Sequence, residues 1–248
     1  MNSLVVFHDE GWISGRIVLV EERARSLFYS EPHKVGDEIR IALFGGDKGV
    51  ARVAEFSATR IALEIIKTES SLDLRPIDLV VGLSRPQTTK KVIQAAVMAG
   101  VRSLHLVRLD SGEPSYLDSH ILRPEDLRFE ISKSLEQICE GRYPEIQVHR
   151  SFFKFIHERE DLIKDVPGKL RVMAHSGGSS LNTSQISDYS SLLIAVGSEG
   201  GWSEREVAKL ESLGFLRVGL GQRVVRVEVA LLYLLGQTLG FADPGIIS

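Results

Sequence analysis

The chain has 248 residues, 43% hydrophobic and 25% charged, with 22 Gly, 8 Pro and a formal charge of −3. That balance excludes a disordered or collagen-like chain, and the length can bury a large core in one domain or two. No apolar run approaches the roughly 18 residues that span a bilayer, and a single cysteine, Cys139, removes disulfide frameworks and thiolate zinc clusters.

Met1–Glu10 carries Asp9 and Glu10 and lacks a basic n-region, so it does not read as a signal peptide and a cytoplasmic location is expected. The first 67 residues read as short strands: Leu4–Phe7, Arg16–Val20, Glu38–Leu43, Val50–Phe56 and Arg60–Ile66, punctuated by Gly15, Gly36-Asp37 and Gly45-Gly46-Asp47. Strands so spaced predict a small barrel or sandwich. Thr68–Pro76 is polar and reads as a linker between a first domain, residues 1–69, and a second, residues 76–248. In the second, the spacing predicts a strand Leu79–Leu83, a helix from Pro86 to Ala99 closed by Gly100, a strand Ser103–Val107 and a helix Pro124–Glu140. Leu170–Ala174 and Leu192–Val196 follow as buried strands. Ser203 caps a helix to Leu213, with Glu206 completing a capping box; Gly214–Leu220 is a last strand, and Val227–Leu239 an apolar closing helix. Strand and helix alternate throughout, which predicts an α/β domain with a mostly parallel sheet whose ligands bind beyond the carboxyl ends of the strands.

Six of the 22 glycines lie between Gly197 and Gly221. Val196-Gly197-Ser198-Glu199-Gly200-Gly201-Trp202-Ser203 joins a buried strand to a capped helix, where glycine lets a backbone approach a ligand or simply makes a tight turn. No Gly-Lys-Ser/Thr follows and Gly-x-Gly-x-x-Gly is not matched, so neither a P-loop nor a Rossmann site fits. A second such junction, Gly219-Leu220-Gly221-Gln222-Arg223-Val224-Val225-Arg226-Val227-Glu228, sets two arginines beside a helix start. Glu228 complements the helix dipole there; the arginines oppose it, which points to an anionic partner. A third strand end, Ala174-His175-Ser176-Gly177-Gly178, is compatible with a ligand wall. His149 and His157 stand apart, and no metal site is expected. Between Asp78 and Asp110 the chain has Arg85, Lys90, Lys91, Arg102 and Arg108 and no acidic residue, a local basic stretch that the net charge conceals.

Together the segments Gly197–Ser203 and Leu220–Ala230 resemble the RsmE-type 16S ribosomal RNA uridine-N3 methyltransferases of the SPOUT superfamily, whose pattern is Gly-Pro-Glu-Gly-Gly followed by Leu-Gly-x-Arg-Ile-Leu-Arg-x-Glu-Thr-Ala. The likeness extends through Leu83-Ser84-Arg85-Pro86, Leu135-Glu136-Gln137, Pro144-Glu145-Ile146, Phe152–Phe155, Val35-Gly36-Asp37 and Phe44-Gly45-Gly46. It implies a trefoil-knotted α/β domain behind a PUA-like β-barrel that contributes to RNA binding. It also implies S-adenosylmethionine as cofactor and dimerisation through the knot helices. Carried over by position, the cofactor loops are His175 and Gly177; Gly197, Ser198, Glu199, Gly200 and Gly201; and Leu220, Gly221, Arg223 and Val225. Arg226 is expected to position or stabilise the target uracil, Glu228 to fix the loop, and Arg85, Lys90, Lys91 and Arg142 to contact ribosomal RNA or the small subunit. Ser198 stands where the family has Pro, and Val229 where it has Thr. Ser26, Ser30-Glu31-Pro32, Met98-Ala99-Gly100-Val101 and the region of Ser111 depart on the side expected to meet RNA. Three activities fit these residues: uridine-N3 methylation, methyl transfer to another RNA or base, and a non-catalytic RNA-binding or ribosome-assembly role on the same fold.

Overall fold

The computed structural model describes residues 3–10, 15–30, 32–181, 186 and 189–242, the last four as backbone alone; Glu31, one of the departures above, lies outside them. The chain divides into two compact units. One is Met1–Asp73 with Phe129–Tyr143, the other Leu74–Arg128 with Pro144–Ser248.

In the first unit, β1 (Leu4–Val6), β2 (Arg16–Val20), β3 (Glu38–Leu43), β4 (Lys48–Phe56) and β5 (Arg60–Glu69) form a sheet in the order β1-β3-β4-β5-β2. β1 runs parallel to β3 and the other pairs are antiparallel. Register shifts at Val50/Ala51 and Val53/Glu55 curl it, and this curled mixed sheet agrees with the expected barrel. Period-two alternation gathers Ile17, Leu19, Ile41, Ala51, Val53, Ile61 and Leu63 into a core. Ala24 and Leu27 close that core from a helix, α1 (Glu21–Ser30), which the strand-rich reading does not contain. The linker is shorter than expected, since Thr68–Glu69 and Arg75–Pro76 extend strands.

Phe129–Tyr143 completes this unit by backbone hydrogen bonds. Ser3 N and Oγ both donate to Glu136 O (3.1 and 3.2 Å), Gly45 N donates to Gly141 O (2.8 Å), and Gly141 N donates to Ser71 Oγ (3.0 Å). A Cβ on Gly141 would lie 2.2 Å from Gly46 O, so glycine is required at that crossing. The helix carrying the segment, α3 (Pro124–Ile138), stops two residues before the expected end because Cys139 turns into the left-handed region (φ 55°).

The second unit holds a six-stranded, wholly parallel sheet in the order β11-β9-β10-β6-β7-β8. Its strands are β6 (Arg75–Gly82), β7 (Val101–Val107), β8 (Glu145–His149), β9 (Lys169–Ser179), β10 (Ser191–Val196) and β11 (Leu216–Val218). Strand β8 and the short helices α4 (Phe152–Glu158) and α5 (Glu160–Ile163) add to the predicted set, while the expected strand Gly214–Leu220 shrinks to three residues. Val80, Val107, Met173, Leu193 and Ala195 share one face with Phe152, Phe155, Leu162 and, from α6 (Glu204–Ser212), Val207 and Leu210. On the other, α7 (Val227–Ala242) packs on β10 and on α2 (Pro86–Ala99). Helix α2 begins with Pro at its first turn and ends at Gly100, whose left-handed backbone (φ 63°) donates to Ala96 O and Val97 O.

One polar chain crosses the buried strands β6, β7 and β8. Arg102 Nε donates to Asp78 Oδ1 (3.0 Å), Ser103 Oγ donates to the same oxygen (2.7 Å), and His105 Nε2 lies 3.2 Å from Ser103 Oγ. His105 Nδ1 lies 3.1 Å from His149 Nε2, with Arg159 Nη1 beyond. Burial, then the charges of Arg159 and His149, depress His105 to about 4 against the pull of Asp78 and Asp161. Folding therefore favours neutral His105: its contribution is complete above the unfolded value of about 6.5 and is lost as pH falls toward 4, where the folded form takes the proton. Urea titrations across that window are expected to lose roughly 3 kcal/mol from this group, and His105→Asn is expected to flatten the slope; an unchanged slope would show that other groups govern acid stability.

Candidate active site

Because the sheet is parallel, the loops leaving β6, β7, β9, β10 and β11 gather at one edge. They approach so closely that glycine is needed for protein contacts first. A Cβ on Gly82, at the end of β6, would lie 2.3 Å from Ser198 N; one on Gly200 would lie 2.8 Å from Ser111 Cβ. Gly178 and Gly219 cross backbone to backbone, and Gly219 N donates to Ser179 O (2.9 Å). This pairing carries β9 on to Ser179, so His175 and Gly177 sit on a strand extension, a correction to the expected loop. Gly197 serves a tight turn, its Cβ position 3.1 Å from the Gly201 backbone. Among the glycines of these loops, Gly201 (φ 70°) and Gly221 (φ 94°) have open space where a side chain would be.

The segment after β10 is held from several sides. Gly201 N donates to Ser198 O (2.9 Å), Arg85 N donates to Glu199 Oε1 (3.0 Å) and Trp202 Nε1 donates to Ala174 O (3.2 Å). Ser111 Oγ donates to Gly201 O (2.9 Å) and touches Ser198 Oγ (3.1 Å). Beneath them Glu206, fully buried, accepts Ser203 N on one oxygen and Asp110 N on the other (both 2.8 Å). Asp110 in turn accepts from Arg205 Nε (2.6 Å) and Ser203 Oγ (2.9 Å), and Arg205 above all holds its carboxyl below the usual range. The capping box exposes Ser203 and Glu206 to sequence reading; the reach of Glu206 to Asp110, ninety-six positions away, leaves no local signal.

Gly221, Arg223, Val224, Val225 and Arg226 are exposed, and Leu220 is half-buried. The loop is pinned at its ends by Gly219 N and by Ala230 N, which donates to Arg226 O (2.9 Å). Glu228, in the first turn of α7, is buried. Burial pushes its carboxyl up, but its own backbone N–H and Lys91, with the charge of Arg226, outweigh this and hold it low. Lys91 Nζ donates to Glu228 Oε1 (3.1 Å), while Oε2 is buried with no hydrogen-bond partner among the described residues. Of the expected RNA-contacting cations, Arg85 and Lys90 lie on the second unit, Lys91 is engaged by Glu228, and Arg142 belongs to the first unit, paired with Asp73.

A parallel α/β unit with glycine-bearing loops at one sheet edge and arginines at a helix start defines a class, and comparison agrees: the family described as RNA methyltransferase domain matches residues 70–239, and the chain belongs to it. Among relatives, it is 28% identical over 232 residues to the ribosomal RNA small subunit methyltransferase E of Treponema pallidum (strain Nichols), covering 92% of this chain and 87% of that one. It is 24% identical over 205 residues to the enzyme of the same name from Bacillus subtilis (strain 168), covering 81% and 80%. The fold matches that of ribosomal RNA small subunit methyltransferase E from Neisseria gonorrhoeae, solved bound to S-adenosyl methionine, with a TM-score of 0.75, 20% identity and coverage of 95% and 96%. A Legionella pneumophila structure, solved with the same cofactor, matches with a TM-score of 0.78, 17% identity and coverage of 97% and 98%.

Removing the Glu206 carboxylate takes the acceptor from two part-buried backbone donors, Ser203 N and Asp110 N. Glu206→Ala is expected to cost about 2–3 kcal/mol, read as a lowered urea midpoint, with Glu206→Gln milder; wild-type stability in Glu206→Ala would show the two bonds to be dispensable.

Proposed function

We propose that this RNA methyltransferase moves the methyl group of S-adenosylmethionine to N3 of a uridine in small-subunit ribosomal RNA. The observation that carries the reading is the shared edge of Gly197–Gly201, His175–Gly177 and Leu220–Val225, next to a buried carboxylate with one oxygen unused. Those residues fit the cofactor: Gly201 and Gly221 leave backbone open, and Leu220 and Val225 offer apolar surface. We assign cofactor contacts to His175, Gly177, Gly197, Ser198, Glu199, Gly200, Gly201, Leu220, Gly221, Arg223 and Val225. Bound there, S-adenosylmethionine supplies a methyl group already activated by its sulfonium.

The chain's own work is alignment, exclusion of water and control of charge as N3 gives up its proton. Arg226, exposed one residue before α7, is assigned to stabilise the uracil anion or a neighbouring phosphate. Glu228 is a positioning residue: through Lys91 it ties α7 to α2 and so fixes the start of the helix behind Arg226. The barrel of residues 1–69 is assigned to RNA binding alongside Arg85, Lys90, Lys91 and Arg142, residues 76–248 to transfer, and the cytoplasm as the place of work. Val229, Leu232 and Tyr233 on α7 and Met98 on α2 are exposed and apolar, and we assign this face to a homodimer.

Arg226→Ala is expected to keep cofactor affinity within about threefold while lowering methyl transfer to small subunits by two orders of magnitude or more; retained turnover would remove Arg226 from the reaction. Assaying subunits beside naked RNA and mapping the modified nucleotide separates uridine N3 from another target. Leu232→Asp is expected to turn a dimer into a monomer in sedimentation, and an unchanged species would refute that interface.

A further inference from the structure

At the opposite edge of the parallel sheet, where β9, β10 and β11 begin, lies a cavity of about 310 Å3. Asp165, Pro167, Lys169, Arg171, Tyr189 and Leu216 line it. The Arg171 side chain is more than nine-tenths buried. Its Nη2 lies 2.6 Å from Asp165 Oδ1 and its Nη1 donates to Ile163 O (3.4 Å), but Nε is buried with no hydrogen-bond partner among the described residues. Gly214, in the left-handed region, makes room for this guanidinium: a Cβ there would stand 2.8 Å from Nη2. Lys169 Nζ donates to Leu162 O (2.8 Å), and burial above all, with the charges of Arg102 and Arg171, depresses its pKa against the pull of Asp78 and Asp161.

Arg171 is thus paired with a carboxylate that is itself 82% exposed, and one of its buried donors is unmet among the described residues. Burying a guanidinium is costly unless its donors are met. An oxyanion answers that geometry, since a guanidinium pairs with phosphate or carboxylate through two parallel hydrogen bonds. The cavity reaches the lower size range of small-molecule sites, and Pro167, Leu216 and the Tyr189 ring give it an apolar wall. We propose that it binds a small organic anion, a phosphate monoester or a carboxylate, through Arg171 and Lys169. This site is separate from the transfer loops, at the other end of the same strands, and does not rest on the assigned reaction.

The test is calorimetric titration of the full chain with ribose 5-phosphate, inorganic phosphate and citrate, at ionic strength held constant with potassium chloride. Each titration is run with and without S-adenosylmethionine. Saturable binding of ribose 5-phosphate or citrate is expected, unchanged by the cofactor, weakened about tenfold or more in Lys169→Met and tightened severalfold in Asp165→Asn, where a competing carboxylate is gone. Ribose 5-phosphate binding more tightly than inorganic phosphate would mark a phosphate monoester as ligand, and citrate alone a carboxylate. The proposal is overturned if none of the three binds saturably to either native protein or Asp165→Asn, if only inorganic phosphate binds, if the cofactor competes, or if Lys169→Met binds as the native chain does. Asp165→Asn keeps an oxygen that can accept from Arg171 Nη2 and removes only the charge, and a urea midpoint measured beside the titration shows that the variant is folded.

Discussion

Two contacts between peptide backbones hold the candidate active site together: Gly82 against Ser198, and Gly178 against Gly219. At each, a methyl group on the α-carbon would overlap main-chain atoms that cannot rotate aside. The parallel sheet forces its strand ends into one neighbourhood, but closeness at this scale requires that side chains be absent. The glycine content of the C-terminal half is therefore first a packing requirement of the edge. Exposed backbone at Gly201 and Gly221 is what that packing leaves over.

Buried carboxylates do the complementary task. Glu206 spends both oxygens on backbone N–H groups and draws the end of β7 to the start of α6. Glu228 spends one oxygen on Lys91 and keeps the other in reserve. A carboxylate out of water costs several kcal/mol unless its lone pairs are met, so the difference between these two groups has meaning. The first is complete within the protein. The second leaves one oxygen without a hydrogen-bond partner among the described residues.

Much of the parallel unit was legible in the residues themselves. Pro86 and Gly100 bracket α2, Ser203 and Glu206 open α6, and apolar runs mark β6, β7 and β10. What escaped had a physical reason. His-Ser-Gly-Gly-Ser looks like loop because glycine and serine disfavour strands, yet pairing with β11 is possible there only because glycine is present. Helix α1 is mostly polar, with two buried residues, Ala24 and Leu27, too few for a clear helical stripe. Candidate site residues were legible as motif; Asp110 and Ser111, which brace those motifs across long sequence separations, were not.

The segment Phe129–Tyr143 returns to the unit begun by the first 73 residues, and that return has a consequence for synthesis. A chain grows from its amino end, so Ser3, Gly45 and Ser71 leave the ribosome well before Glu136 and Gly141, their partners. Until then the curled sheet has backbone groups with only water to meet them, and its closing strap is still unwritten. Completion of the N-terminal unit by this segment waits for more than half of the chain, including β6, α2 and β7 of the other unit, to be made. The last backbone bonds of the first unit therefore form only after the strands of the parallel sheet have begun to be made, an order set by the chain alone.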